Sequence, residues 1–62
     1  MLTCPVCRSH DVRGGKYPVA THDGRDIHMY DFYCRHCCTL EDRREDAPDF
    51  HEWKRRWLDS AQ

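Results

Sequence analysis

Long apolar runs and an excess of either charge are missing from this chain. No stretch approaches the ~18–20 consecutive apolar residues that a membrane-spanning helix needs. Met1-Leu2-Thr3-Cys4 has neither a basic n-region nor an apolar h-region, so a secretory leader is not expected. Glycine and proline number three each among 62 residues. That is too few for a flexible linker or a low-complexity segment, and no internal repeat divides the chain, so residues 1–62 read as one domain. The formal net charge is −1. Five cations (Arg8, Arg13, Lys16, Arg25, Arg35) stand against four acids in residues 1–40, and five against seven in residues 41–62. A chain-wide basic field for nucleic acid is therefore absent, as is a polybasic tail.

The apolar fraction is only 39%, a figure that includes cysteine. A chain near 60 residues buries about 60% of the surface its unfolded form exposes, and its core seldom supplies more than about 3–5 kcal/mol. Something besides burial must hold the fold. Cysteine is what the chain has in quantity. Its five copies include two matching pairs, Cys4-Pro5-Val6-Cys7 and Cys34-Arg35-His36-Cys37, with 26 residues between them. An odd count without a leader argues against a disulfide framework and for a reduced, cytoplasmic protein. Two such pairs supply four soft thiolates to one tetrahedral ion at a metal–sulfur distance of about 2.3 Å. Cys4, Cys7, Cys34 and Cys37 are accordingly predicted to hold one Zn²⁺ per chain. Metal binding of this kind contributes about 10–16 kcal/mol of apparent free energy, linked to folding, so the metal-free chain is expected to be largely unfolded. Four thiolates and a divalent ion bring the net charge to roughly −3.

A three-cysteine site completed by His36, His22 or His10 is the alternative donor set. Cys38 follows Cys37 directly, so the two cannot easily address the same ion. It reads as a free thiol opening the next strand, with a redox or intermolecular role as the alternative. With every metal position filled by protein, no place remains for a reactive water. No nucleophile–base constellation or phosphate-cradling loop accompanies the cysteines, and the chain is read as a non-enzyme.

The rest of the sequence builds around the two pairs. Residues 3–9 form the first knuckle, in which Ser9 is small enough to let its amide approach a thiolate. Arg13-Gly14-Gly15-Lys16 is predicted to be a loop by its paired glycines. Residues 16–22 read as a strand, which Pro18 confines to a sheet edge. Asp23-Gly24 is a hairpin turn signal, and the return strand spans 26–34. Both of its faces carry apolar residues, which leaves the core face open. Residues 38–43 are expected to add a third strand and Arg43 to Asp49 a polar linker. A helix over 47–59 is predicted, with Asp46 as N-cap and Pro48 in the first turn. Phe50, Trp53, Trp57 and Ala61 form its apolar stripe, opposite His51, Glu52, Lys54, Arg55, Arg56 and Asp59.

Two knuckles flanking a β-hairpin resemble the zinc-ribbon superfamily over residues 3–40. The resemblance rests on Cys4-Pro5-Val6-Cys7-Arg8-Ser9, on Asp23-Gly24 and on Phe32-Tyr33-Cys34-Arg35-His36-Cys37. The N-terminal zinc domain of one group of bacterial antitoxins looks similar, with a Cys-Pro-Val-Cys start and a Tyr-Cys-x-His-Cys second knuckle. In that group the domain is mainly a structural and partner-binding module. The separate DNA-binding domain has no counterpart in this chain. The implied fold is a small metal-bound α+β domain: a zinc ribbon over about 3–42, with a β-hairpin or three-stranded antiparallel sheet, plus one C-terminal helix.

Fold leaves function open. The first expectation is a non-catalytic structural-zinc module that binds a protein partner, with Phe50, Trp53 and Trp57 either packing the helix on the ribbon or anchoring that partner. The second is nucleic-acid binding, with Arg8, Arg13, Lys16, Arg25 and Arg35 on one side of the ribbon. In that reading Tyr30 or Phe32 stacks on bases and Lys54, Arg55 and Arg56 meet phosphate. The third is rubredoxin-like electron transfer with iron in the four-cysteine site. Rubredoxin knuckles usually place glycine after the second cysteine of each pair, whereas this chain has Arg8 and Cys38. Neither a membrane nor a small-molecule substrate is expected.

Overall fold

In the computed structural model, which describes residues 1–58, three strands and one helix follow in order: β1 (Val12–His22), β2 (Arg25–Cys34), β3 (Leu40–Arg44) and α1 (Phe50–Trp57). The strands form one antiparallel sheet of order β1-β2-β3. The molecule is a small α+β domain. Among the described residues no helix is long and apolar enough to cross a membrane.

The hairpin forms where its turn residues require it. Asp23 (φ 52°) and Gly24 (φ 75°) both adopt positive φ, as a tight two-residue hairpin turn demands, and His22 faces Arg25 across it. Pro18 sits on β1, which is an edge strand, so its missing N–H breaks no interior ladder. One residue beyond it the register slips: Pro18 faces His28 and Ala20 faces Ile27, which leaves Val19 as a bulge.

The predicted loop at Gly14-Gly15 is instead part of β1, opposite Phe32 and Asp31. The glycines serve close approach and not a turn. A Cβ on Gly14 would lie 3.0 Å from the Phe32 ring, and one on Gly15 would lie 2.9 Å from Asp31 Oδ1. The third strand runs to Arg44, slightly later than predicted.

Pairing decides the core face that the alternation left open. Val12, Phe32 and Cys34 are buried on the side that receives the helix. Tyr33 and Leu40, which face each other across β2 and β3, are exposed on the other. Phe50, Trp53 and Trp57 are buried against that inner face, the two tryptophans completely. Phe32 lies under both indoles, with ring centroids 5.1 Å from Trp53 and 5.4 Å from Trp57, and Tyr30 lies 4.9 Å from Phe50. Each such aromatic pair contributes about 0.5–1.5 kcal/mol beyond its buried area.

The helix starts three residues later than the sequence suggests. Asp46 does not cap it. Its carboxylate is held by Arg44 through two hydrogen bonds of 3.0 Å, while residues 45–49 form turns that include Ala47 N–H to Arg44 C=O and Phe50 N–H to Ala47 C=O. Asp49 takes the N-cap position without a side-chain cap bond; its Oδ1 lies 3.6 Å from Arg43 Nε. At the other end Leu58 is extended and bridges to Leu2, and Thr3 N–H donates to Trp57 C=O at 2.8 Å. The N-terminal segment thereby satisfies a carbonyl that the helix terminus leaves open. Asp59 and Ala61, placed on the helix by sequence, lie outside the described residues.

Candidate metal centre

Each cysteine pair sits on a turn with nearly the same internal bonding. In the first, Arg8 N–H donates to Cys4 C=O at 2.9 Å and Cys4 N–H to Ser9 C=O at 2.9 Å. In the second, Cys38 N–H donates to Cys34 C=O and Cys34 N–H to Thr39 C=O, both at 2.8 Å. The residue after the second cysteine takes positive φ in both, 68° at Arg8 and 67° at Cys38. Cys38, read from sequence as a free thiol opening the next strand, is free and exposed, occupies the left-handed corner of the second knuckle and precedes β3. A non-glycine residue there costs about 1–2 kcal/mol. Backbone amides also point at sulfur, Val6 N–H to Cys4 Sγ and Cys37 N–H to Cys34 Sγ, each at 3.4 Å.

The β2 strand carries the second knuckle, and the N-terminal segment, tied to the helix end, carries the first. Together they bring the four sulfurs of Cys4, Cys7, Cys34 and Cys37 within 4.8 Å of one another. Cys4 Sγ lies 3.6 Å from Cys37 Sγ, and Cys7 Sγ 3.5 Å from Cys34 Sγ. A regular tetrahedron with metal–sulfur bonds of about 2.3 Å has an edge of about 3.8 Å. The donor set fits one tetrahedral metal ion, with Cys4 and Cys34 buried, Cys7 half-buried and Cys37 at the surface.

Four thiols packed this closely do not ionise independently. The hydroxyl and amide of Thr39 pull Cys37 down to about 6, the hydroxyl from 3.0 Å. Cys7 accepts from the Ser9 amide, which favours its thiolate, yet burial and hydrogen bonds to Cys34, Cys37 and Cys4 outweigh this and push it up to about 12. Simultaneous ionisation of all four is what a bound cation would permit.

Of the remaining sequence-selected residues, Lys16, Tyr30, Phe32 and Lys54 meet at one hollow, and Arg8, Arg13, Arg25 and Arg35 do not join them. Arg13 pairs opposite Tyr33 on the outer face, whereas Lys16 lies on the helix side, 5.6 Å from the Tyr30 ring centroid. Arg25 stands beside the hairpin turn, Arg8 at the first knuckle, and Arg35 lies 3.8 Å from Asp11 Oδ1. Lys54 covers Tyr30 and Phe50, while Arg55 and Arg56 are exposed. Phe32, expected as a base-stacking platform, is 5% exposed and packs against Trp53 and Trp57. Phe50, Trp53 and Trp57 are core residues in this structure.

Sequence reasoning missed Glu41. Its Oε1 accepts from both Trp53 Nε1 and Trp57 Nε1 at 2.9 Å, joining β3 to two turns of the helix through one oxygen. The spacing of the tryptophans puts both on one helix face, but nothing in the sequence pairs them with an acid 12 and 16 residues earlier. Comparison of the chain with protein-family models, curated proteins and solved structures finds no match. The class that the fold and site define is a small α+β domain with a four-cysteine cluster suited to a metal.

Proposed function

We propose that Cys4, Cys7, Cys34 and Cys37 hold one zinc ion and that the chain is a non-catalytic, zinc-ribbon-like binding module for a protein partner. The observation that carries this reading is the closed set of four sulfurs within 4.8 Å. Four protein thiolates complete a tetrahedron, which suits a structural ion and leaves no position for substrate. Such a site needs reduced thiols, in keeping with a cytoplasmic setting. The distribution of cations favours protein over nucleic acid, because Arg13 and Lys16 lie on opposite faces of the sheet. The outer sheet face, in contrast, exposes Tyr33 and Leu40 as neighbours.

Elemental analysis of protein purified without added metal, together with affinity capture from host lysate with and without nuclease, tests the proposal. One equivalent of zinc and a nuclease-resistant protein partner are expected. Iron in the site, visible as colour, would favour electron transfer. Salt-sensitive retention of oligonucleotide would favour nucleic-acid binding. An ordered chain without stoichiometric metal refutes the reading altogether.

A further inference from the structure

The outer edge of β1 and a hollow beside it have no role in holding the metal. Among the described residues no strand pairs with that edge. Arg35 N–H donates to Asp11 C=O at 2.9 Å, on the β1 side of β2, while Cys34 N–H donates to Thr39 C=O at 2.8 Å, on the opposite side. Antiparallel alternation continues this pattern along the register: Arg13, Gly15 and Tyr17 turn their backbone groups to β2, and Gly14 and Lys16 turn theirs outward. The edge thus presents an alternating series of donors and acceptors about 7 Å apart, which is the pattern an extended peptide backbone satisfies.

On the helix side of the same edge is a hollow of about 260 Å³, floored by Tyr30 and Phe32 and walled by Gly14, Lys16, Lys54 and Leu58. It is smaller than the ~300–1,000 Å³ typical of small-molecule sites and suits an entering side chain. Gly14 keeps it open, since a Cβ there would meet the Phe32 ring at 3.0 Å. Two ammonium groups overlook it, Lys16 Nζ and Lys54 Nζ, at 5.6 and 4.9 Å from the Tyr30 centroid. The acid whose charge Lys16 influences, Glu45, is itself engaged by His28 at 3.0 Å.

We propose that the β1 edge takes an extended acidic segment of a partner protein by strand addition, with an apolar side chain in the hollow and a carboxylate two residues away meeting Lys16 and Lys54. Residues i and i+2 of an added strand share a face at about 7 Å, so one apolar and one acidic residue fit side by side. A nucleic acid would satisfy the lysines but not the alternating edge. A second copy of the chain is disfavoured by charge, because β1 carries Arg13 and Lys16 and no acid. The inference deepens the protein-partner reading and rests on it.

The test titrates the zinc-loaded, ¹⁵N-labelled full chain with acetyl-Ser-Glu-Thr-Val-Ser-Glu-Thr-amide and with the same peptide carrying Lys for Glu. Saturable shifts of the Gly14 and Lys16 amides are expected with the acidic peptide only. The double variant Lys16→Glu, Lys54→Glu should weaken it about tenfold or more and gain the lysine peptide; Lys16→Gln alone should give a smaller loss. No shift at millimolar peptide, or affinity indifferent to both charge changes, overturns the proposal. So does a shift that grows with protein concentration alone, which would mark a second copy, or salt-sensitive shifts of the same amides with oligo-dT, which would mark nucleic acid. Zinc content and spectral dispersion are read on the same sample. Loss of one without the other refutes the metal-held module, whereas a folded, zinc-loaded chain that captures its partner without using β1 refutes this inference alone.

Discussion

Replacing Glu41 tests how the helix is fastened to the sheet. The half-buried carboxylate gives one oxygen to two indole N–H groups whose side chains are fully buried. A buried donor stripped of its partner costs about 1–3 kcal/mol. Glu41→Leu keeps much of the volume, keeps water out and strips both donors, so a loss of about 2–6 kcal/mol is expected. That range is comparable to the ~3–5 kcal/mol a core in a chain of this length supplies. Glu41→Gln retains a carbonyl acceptor and loses only the charge assistance, for about 1–2 kcal/mol. Glu41→Ala opens a path for water to the indoles and should fall between the two. Urea unfolding at fixed free zinc, followed by tryptophan emission and far-ultraviolet dichroism, gives the order. In a Trp53→Phe, Trp57→Phe background, which holds no tryptophan and is read by dichroism alone, the same leucine change should cost less than in the parent, because no indole donors remain to be orphaned. A leucine variant within ~0.5 kcal/mol of the parent would refute the reasoning, as surface substitutions commonly fall in that range.

Further outcomes follow from the knuckles and the β3 end. Cys4→Ser or Cys37→Ser each removes a thiol of the proposed zinc site and should leave the chain unfolded; a well-dispersed NMR spectrum of either variant stripped of metal would refute this. Cys38→Gly should raise stability by about 0.5–1 kcal/mol, since relief of the left-handed strain exceeds the added freedom of the unfolded chain; a lower melting temperature at saturating zinc would contradict it. Glu45 is held below its ordinary value of 4.5, chiefly by the hydrogen bond from the His28 ring and also by the His28 amide. A carboxyl lowered on folding contributes stability that is full above the unfolded value and lost as pH falls through the folded one. The stability gap between the parent and Glu45→Gln should therefore close on acidification below about pH 4.5. A gap that stays open or widens in denaturant titrations from pH 5 down to pH 3 would rule this out.

Local chemistry in the sequence determined much of this protein: two cysteine pairs with a strand hairpin between them, the Asp23-Gly24 turn, the edge position of the Pro18 strand and the aromatic stripe of the helix. Each depends on a short-range rule of spacing, φ preference or periodicity, which residues close in the chain are enough to express. The misreadings have the opposite character. Gly14-Gly15 reads as a loop until Phe32 and Asp31 are seen packed against it. Asp46 reads as a helix cap until Arg44 takes its carboxylate. Only the tertiary structure decided which face of β2 is inside, that one oxygen of Glu41 serves both tryptophans, and that Lys16 and Lys54 share one ring. Those are contacts between residues distant in sequence, and they are set by how the sheet and helix pack, which no local pattern encodes.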